Sequence, residues 1–118
     1  LRRRRRRVMS GDDPIVVFLT ASSGEEATRL ADLLIGAHLA ACVQILPEME
    51  SVYRWQGKIE RQSEILLIAK TTAAKFADLE REVRALHSYE TPEIVAVPLV
   101  LGSTPYLEWL TNSLNPSL

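Results

Sequence analysis

The feature that most constrains this fold is residues 40–70, a long stretch without a helical pattern. It is rich in β-branched and aromatic residues, which favour strands. Near its middle, Gln56-Gly57 predicts a two-residue hairpin turn in which Gly57 supplies a positive φ. Pro47 has no backbone N–H and predicts an edge or a bulge in the first arm. Each arm has about 13 residues, or roughly 43 Å at ~3.3 Å per residue, which is more than twice the usual length of a strand.

The first helix is predicted from its cap and its apolar spacing. Residues 23–26, Ser-Gly-Glu-Glu, fit a capping box, in which the Ser23 hydroxyl and the Glu26 carboxylate satisfy free amides at the helix start. Gly36 suits the left-handed residue that ends a helix. The stripe between them consists of Ala27, Leu30, Ala31 and Leu34.

Four further elements complete the order. Residues 15–19 are an apolar run typical of a buried strand, and residues 94–101 form another strand that Pro98 marks as an edge or bulged strand. Residues 75–86 predict a second helix, and Thr104-Pro105 begins a short C-terminal helix. The order β-α-β-β-α-β belongs to the α+β class and predicts a ferredoxin-like sheet with two helices on one face.

The length of the hairpin predicts association between copies. Helices of about 13 residues span about 20 Å at ~1.5 Å per residue, so they cover only about half of the hairpin. Apolar residues continue to its tip as Val52, Tyr53, Trp55 and Ile59. A projecting two-stranded ribbon is marginal alone, and its open edges invite pairing. A symmetric homo-oligomer is the simplest cover, because each copy brings both the ribbon and the surface that receives it.

Charge and composition exclude several classes of protein. The net charge of −1 hides a basic tail, Arg2–Arg7, and a body with 8 basic and 15 acidic side chains. We therefore predict a disordered tail over residues 1–13 and one domain over 14–118. An acidic body disfavours nucleic acid. With one cysteine and no apolar run of membrane-spanning length, we expect a cytoplasmic protein without membrane association.

Five motifs occur in order along residues 15–114, and they are specific as a set. The motifs are Leu39-Ala40-Ala41-Cys42-Val43, Tyr53-Arg54-Trp55-Gln56-Gly57-Lys58, Leu67-Ile68-Ala69-Lys70-Thr71, His87-Ser88-Tyr89-Glu90-Thr91-Pro92-Glu93 and Tyr106-Leu107-Glu108-Trp109-Leu110. On these motifs the chain resembles the CutA divalent-cation tolerance family. The resemblance implies a ferredoxin-like homotrimer that packs its sheets around a threefold axis, a fold related to PII signalling proteins, and a link to copper and other divalent metals.

Two residues are candidate metal ligands. Cys42 falls where the family motif has Cys, and its thiolate suits Cu(I), although a small buried residue with an inert thiol is the more ordinary role. His87 ends the second helix, where it either binds a metal or complements the helix C-terminus. The resemblance also implies that copper-binding bacterial relatives have Cys and His at the positions of Leu19 and Leu86. We therefore expect copper or another divalent cation to bind weakly, if it binds at all.

A second candidate site follows from the implied trimer. There the hairpin tip of one copy approaches the loop after the second helix of a neighbour, and a cleft forms between subunits. Its polar and apolar walls are predicted to contain Lys70, Tyr89, Glu90, Glu93 and Trp55. Carboxylates there suit a divalent ion, and Lys with Tyr suits a small anion. The alternative role of these residues is interface packing with weak surface ion pairs.

The functional expectation is a non-enzymatic protein. The sequence has no Ser/His/Asp spacing with an elbow turn and no glycine-rich phosphate loop, so no catalytic residues and no organic cofactor are predicted. A CutA-like trimer in the response to divalent metal ions is the first hypothesis. A PII-like small-molecule sensor that uses the cleft is the second, and a structural trimeric scaffold is the third.

Overall fold

The computed structural model describes residues 9–117, and the arginine run of the predicted tail lies outside them. The described residues form five strands, three helices and one short 3-10 turn, Ala73–Lys75. The strands are β1 Pro14–Ala21, β2 Cys42–Ile45, β3 Met49–Trp55, β4 Lys58–Thr72 and β5 Ile94–Pro98. The helices are α1 Gly24–Gly36, α2 Phe76–Leu86 and α3 Thr104–Ser113. None of these helices is long and apolar enough to cross a membrane.

Strand β4 organises the sheet. The sheet order is β2-β4-β1-β5, and each of its pairs is antiparallel. The C-terminal half of β4 pairs with β1, from Ile65 opposite Ala21 to Thr72 opposite Pro14. Its N-terminal half runs past the end of β1 and pairs with β3, up to Lys58 opposite Trp55. This α+β, ferredoxin-like architecture with a projecting ribbon confirms the predicted fold class.

The core lies between the sheet and the pair α1 and α2. Alternate residues of β1 and β4 point towards these helices, because successive side chains of a strand face opposite ways. Helix α3 lies on the other face, where the Lys70 ammonium is 5.5 Å from the centroid of the Tyr106 ring. The fully buried large side chains of the core cluster are Val17, Leu19, Leu30, Leu34, Leu67, Leu79 and Val83.

The turn and the break of the hairpin are confirmed. Gln56 has φ 49° and Gly57 has φ 79°, the two positive values that a type I′ turn needs. Residues 46–48 interrupt the first arm at Pro47 and divide it into β2 and β3. The last strand is also on an edge, as Pro98 predicted, but it ends at Pro98 and not at residue 101.

The predicted end of the first helix is wrong by two residues. Gly36 is the last helical residue, and the left-handed residue is His38, with φ 57°. The amide of His38 donates to the Ile35 carbonyl at 3.2 Å, and the amide of Leu39 donates to the Leu34 carbonyl at 2.9 Å. These two bonds form a Schellman motif with His38 in the position that glycine usually takes.

The folded part begins earlier than the predicted boundary at Pro14. The Asp13 carbonyl accepts a hydrogen bond from the Ala73 amide, and the Gly11 carbonyl accepts one from the Ala74 amide, both at 2.9 Å. Residues 11–13 are thus bonded to the start of the 3-10 turn before α2. The prediction for residues 1–8 lies outside the described residues.

We predict opposite effects for two glycine substitutions. Gly57→Ala places a Cβ in a left-handed turn and should lower the free energy of unfolding by about 1 kcal/mol. Gly36 is a helical residue, and the Cβ that Gly36→Ala adds meets nothing within 4 Å. This substitution should raise the free energy of unfolding by a few tenths to about 1 kcal/mol. Urea denaturation of both variants measures the difference. Equal effects of the two changes would contradict the assigned turn.

Candidate functional site

A cleft of about 670 Å³ lies where the β3–β4 ribbon meets the loop that follows α2. The ribbon supplies one wall because β4 extends past β1, and the loop supplies the other because it returns towards the sheet after α2. Its chemically distinctive residues are three carboxylates and three aromatic side chains. They are Glu64, Glu90, Glu93, Tyr53, Trp55 and Tyr89.

A chain of hydrogen bonds crosses the floor of the cleft. The Tyr53 hydroxyl donates to Gln62 Oε1 at 2.8 Å, and Gln62 Nε2 donates to the Tyr89 hydroxyl oxygen at 2.7 Å. The Tyr89 hydroxyl in turn donates to Glu64 Oε2 at 3.2 Å. Glu64 is only 8% exposed. The ribbon and the loop are therefore joined through side chains that end at a buried carboxylate.

Tyr89 is held in its protonated form. Burial raises its pKa, and the negative charge of Glu64 and the hydrogen bond to Glu64 raise it further, to about 12. The phenol therefore keeps its proton at neutral pH and acts as a donor to Glu64.

His87 fixes the loop that carries Tyr89. Its buried ring lies between β1 and this loop, with Nε2 at 2.6 Å from the Thr20 carbonyl oxygen. Nδ1 accepts a hydrogen bond from the Tyr89 amide at 3.0 Å, and the two rings lie 4.8 Å apart. An accepting Nδ1 and a donating Nε2 define the neutral tautomer with its proton on Nε2. In this arrangement neither nitrogen offers a lone pair to a metal ion.

Glu26 ties the same loop to the start of α1. Its Oε1 accepts from the Ser22 amide at 2.8 Å and from the Ser22 hydroxyl at 3.0 Å, and its Oε2 accepts from the Ser88 amide at 2.8 Å. Half of the predicted capping box forms: the Ser23 hydroxyl accepts a hydrogen bond from the Glu26 amide at 3.1 Å. The return bond from the Ser23 amide to the Glu26 carboxylate is replaced. The carboxylate instead accepts from the Ser22 and Ser88 amides, and nothing in the sequence pattern placed Ser88 beside it.

Hydrogen bonds control the ionisation of Glu26. Burial raises the pKa of this carboxyl, but hydrogen bonds from the amides and hydroxyls of Ser22 and Ser88 outweigh burial and lower it from 4.5 to about 2. Glu26 therefore stays ionised, 3.8 Å from His87 Nε2, and holds the two loops together at neutral pH. Sequence reasoning missed this role, and the capping-box position was its only signal.

The two predicted metal ligands are not brought together. Cys42 is partly exposed on β2 opposite Lys70, whereas His87 bonds to Thr20, which pairs with Leu66. Four residues along β4 separate these positions, about 13 Å at ~3.3 Å per residue. Among residues 9–117 no three His, Cys, Asp or Glu side chains cluster as a metal site. The residues present do not fit a preformed copper site built on Cys42 and His87.

The structure places the two leucines at which the resemblance implied metal ligands in different surroundings. Leu19 is fully buried in the apolar core, and Leu86 is 40% exposed at the end of α2. Neither supplies a donor atom for a metal.

Four of the five residues predicted for a cleft between subunits line this cleft within one chain, and the cleft between subunits itself stays a prediction. Trp55, Tyr89, Glu90 and Glu93 meet within a single chain. Lys70 is not among the lining residues, because it lies six residues along β4 from Glu64, about 20 Å at ~3.3 Å per residue, and faces Tyr106 of α3. Sequence reasoning missed Tyr53, Gln62 and Glu64, although the alternation of the ribbon places all three on one face.

The fold and this cleft define a ferredoxin-like α+β protein with a projecting β-ribbon. The family model of the CutA1 divalent ion tolerance protein matches residues 15–113. The chain belongs to this family.

Curated relatives agree with this assignment. The divalent-cation tolerance protein CutA of Thermus thermophilus is 47% identical over 98 residues, which are 83% of this chain and 95% of that protein. Protein CutA, chloroplastic, of Arabidopsis thaliana is 46% identical over 99 residues, which are 84% of this chain. The matched part spans 54% of the Arabidopsis protein, about half its length.

Solved structures of the family have the same fold. The divalent cation tolerance protein of Thermus thermophilus superposes with a TM-score of 0.84 at 45% identity, covering 85% of this chain and 97% of that one. CutA1 of Oryza sativa superposes with a TM-score of 0.85 at 44% identity, covering 88% and 95%.

We predict that Glu26→Gln makes stability less dependent on pH. A folded-state pKa below the unfolded value stabilises the fold above about pH 4.5, and this contribution is lost as the pH falls towards about 2. The substitution should therefore cost on the order of 2–3 kcal/mol at pH 7 and little near pH 2. Urea denaturation at several pH values measures this, with the exposed neighbour substitution Glu25→Gln as control. A constant difference between wild type and Glu26→Gln across this pH range would contradict the assigned network.

Proposed function

We propose that this chain acts as a homotrimer in tolerance of divalent metal ions and that it is not an enzyme. The observation that carries the proposal is the apolar surface left open on the ribbon and on the edge strand β5. Family membership supports the link to divalent cations, since relatives are named divalent-cation tolerance proteins.

The open apolar surface has the position and form of an oligomer contact. On the ribbon, Trp55 is 57% exposed and Ile59 is 68% exposed. On β5, Val95 and Val97 are each about half exposed on the outer edge of the sheet. Large exposed apolar patches on a sheet edge favour pairing with another chain. A closed ring of three copies covers every ribbon and every edge in the same way.

Binding of metal is proposed to be weak. The ring nitrogens of His87 are both engaged, and Cys42 belongs to no group of three potential metal ligands among the described residues. Copper or another divalent cation is then held at exposed carboxylates, which bind such ions loosely without a built cage. The cytoplasmic location stays a prediction, because two relatives are named chloroplastic and one solved relative is named periplasmic.

A small-molecule sensor is the second candidate function, and the cleft favours it. A cavity of about 670 Å³ with aromatic walls and a few polar groups is typical of a ligand pocket. Sensing and metal tolerance are compatible if the ligand controls the assembly that gives tolerance.

The oligomeric state is the first test. Light scattering should give a mass of three times 13.2 kDa for the wild type. Val97→Asp buries a charge in the proposed contact and should shift the protein to monomers, while Thr28→Asp on the exposed face of α1 should leave the trimer intact. In a bacterial strain that lacks its own CutA, wild type and Thr28→Asp should restore growth on copper, and Val97→Asp should not. A monomeric wild type at micromolar concentration would overturn the trimer.

Metal titration tests the absence of a built copper site. Calorimetry with Cu(II) and Zn(II) should show weak binding that is the same for wild type and Cys42→Ser, since Cys42 is part of no three-ligand cluster within residues 9–117. His87→Gln should lower stability without altering metal affinity, because the ring bonds to Thr20 and Tyr89. Tight stoichiometric binding that disappears in either variant would contradict this account.

A further inference from the structure

We propose that the ribbon of one copy docks on strand β5 of the next copy in one fixed direction, with Arg54 near the ribbon tip paired to Glu93 of the neighbour. This deepens the proposed function, because it names a residue that each copy contributes to the contact. It rests on the proposed trimer. The occupant of the surface along β5 is therefore a second copy of this chain.

The ribbon has an exposed face that carries an unpaired cation. Opposite residues of an antiparallel pair share a face, and successive side chains of a strand alternate between faces. Arg54 lies opposite Ile59 and therefore on the other face from Tyr53 and Trp55, which line the cleft. Arg54 is exposed, and no ion pair within residues 9–117 includes it. Because it faces away from the cleft of its own chain, its acidic partner is expected from another copy.

Apolar side chains surround this cation. Val52 and Ile59 lie on the same ribbon face as Arg54, and they are 51% and 68% exposed. A neighbouring copy that covers both side chains also removes water from the guanidinium group. A charge that loses water in a contact needs an opposite charge beside it. The surface that receives this face is therefore expected to be apolar, with a carboxylate at one place.

Strand β5 and its flanks have this composition. The exposed apolar surface of the strand continues beyond its end, where Val100 is 79% and Leu101 is 89% exposed. Within residues 90–107 the charged side chains are those of Glu90 and Glu93 alone, and both are exposed. The open edge of the sheet is thus an apolar strip with carboxylates at one end.

The position of the carboxylates determines the direction of docking. Both precede β5, whereas residues 94–107 carry no charge. A ribbon that lies along β5 can therefore pair Arg54 only when its tip lies at the N-terminal end of that strand. Glu93 is the assigned partner because it is next to the strand, and no ion pair within the described residues includes it. Since a ring of three copies contains this contact three times, the small gain from each pair is multiplied.

A charge swap tests the assigned pair. Arg54→Glu and Glu93→Arg each bring like charges together, so each should raise the protein concentration at half assembly about tenfold or more. The two changes combined restore the pair in reverse and should return this concentration to within about threefold of the wild type. Analytical ultracentrifugation over a dilution series measures it, in urea if dilution alone does not dissociate the wild type. The effect of each single change should shrink in high NaCl, because salt screens charges.

The matched control is Arg29→Glu, the same charge reversal at an exposed position on α1. It should leave assembly unchanged and should not rescue Glu93→Arg. Circular dichroism confirms that each variant is folded, which is expected because all three positions are exposed.

Three results would overturn the proposal. They are assembly of Arg54→Glu at the wild-type concentration, a combined variant that assembles no better than the single variants, and rescue of Glu93→Arg by Arg29→Glu, which would indicate net charge alone. Any of these with a trimeric wild type would remove the assigned pair and leave the trimer standing. A monomeric wild type would remove the trimer and this contact together.

Discussion

The length of β4 is the constraint on which the rest of the structure depends. Its C-terminal half lies in a sheet that two helices cover, and its N-terminal half continues into a two-stranded ribbon with β3 that α1 and α2 do not cover. The ribbon keeps its apolar side chains up to Trp55, so burial of this surface needs material from another copy. The same overhang makes one wall of the cleft. The proposed assembly and the cleft therefore have a common origin in one long strand.

A small buried polar network makes the other wall rigid. Glu26 at the start of α1 holds the Ser88 amide, and His87 holds the Tyr89 amide while it bonds to β1. The polar groups of this network form hydrogen bonds with one another, and for this reason a carboxylate and an imidazole can stay buried near the edge of the core. The result places the Tyr89 hydroxyl against Glu64. The polar groups of the loop thus have a positioning role, and the groups that can meet a ligand belong to the ribbon and to residues 89–93.

Local chemistry in the sequence was enough for much of the fold but not for the polar network. Gln56-Gly57 and Pro47 determine the turn and the break by backbone geometry alone, so both could be predicted. His38 could not, because glycine usually takes the left-handed position at a helix end, and Gly36 offered that residue two positions earlier. Glu26 looked like a capping residue, since its real partner Ser88 is 62 residues away. Lys70 was predicted to line a cleft, but Glu64, at the other end of the same strand, lines the one observed. Which end of a long strand meets a loop depends on the three-dimensional path of the chain.

The central claim is that the ribbon of residues 49–64 is sheltered by neighbouring copies. Amide hydrogen exchange of this segment, measured by mass spectrometry in the assembled protein, tests it most directly. The claim predicts that ribbon amides exchange as slowly as those of β1, because a covered ribbon opens only when the assembly opens. Exchange of the ribbon within seconds, while β1 stays protected, would show a strand pair exposed to water and would contradict the account.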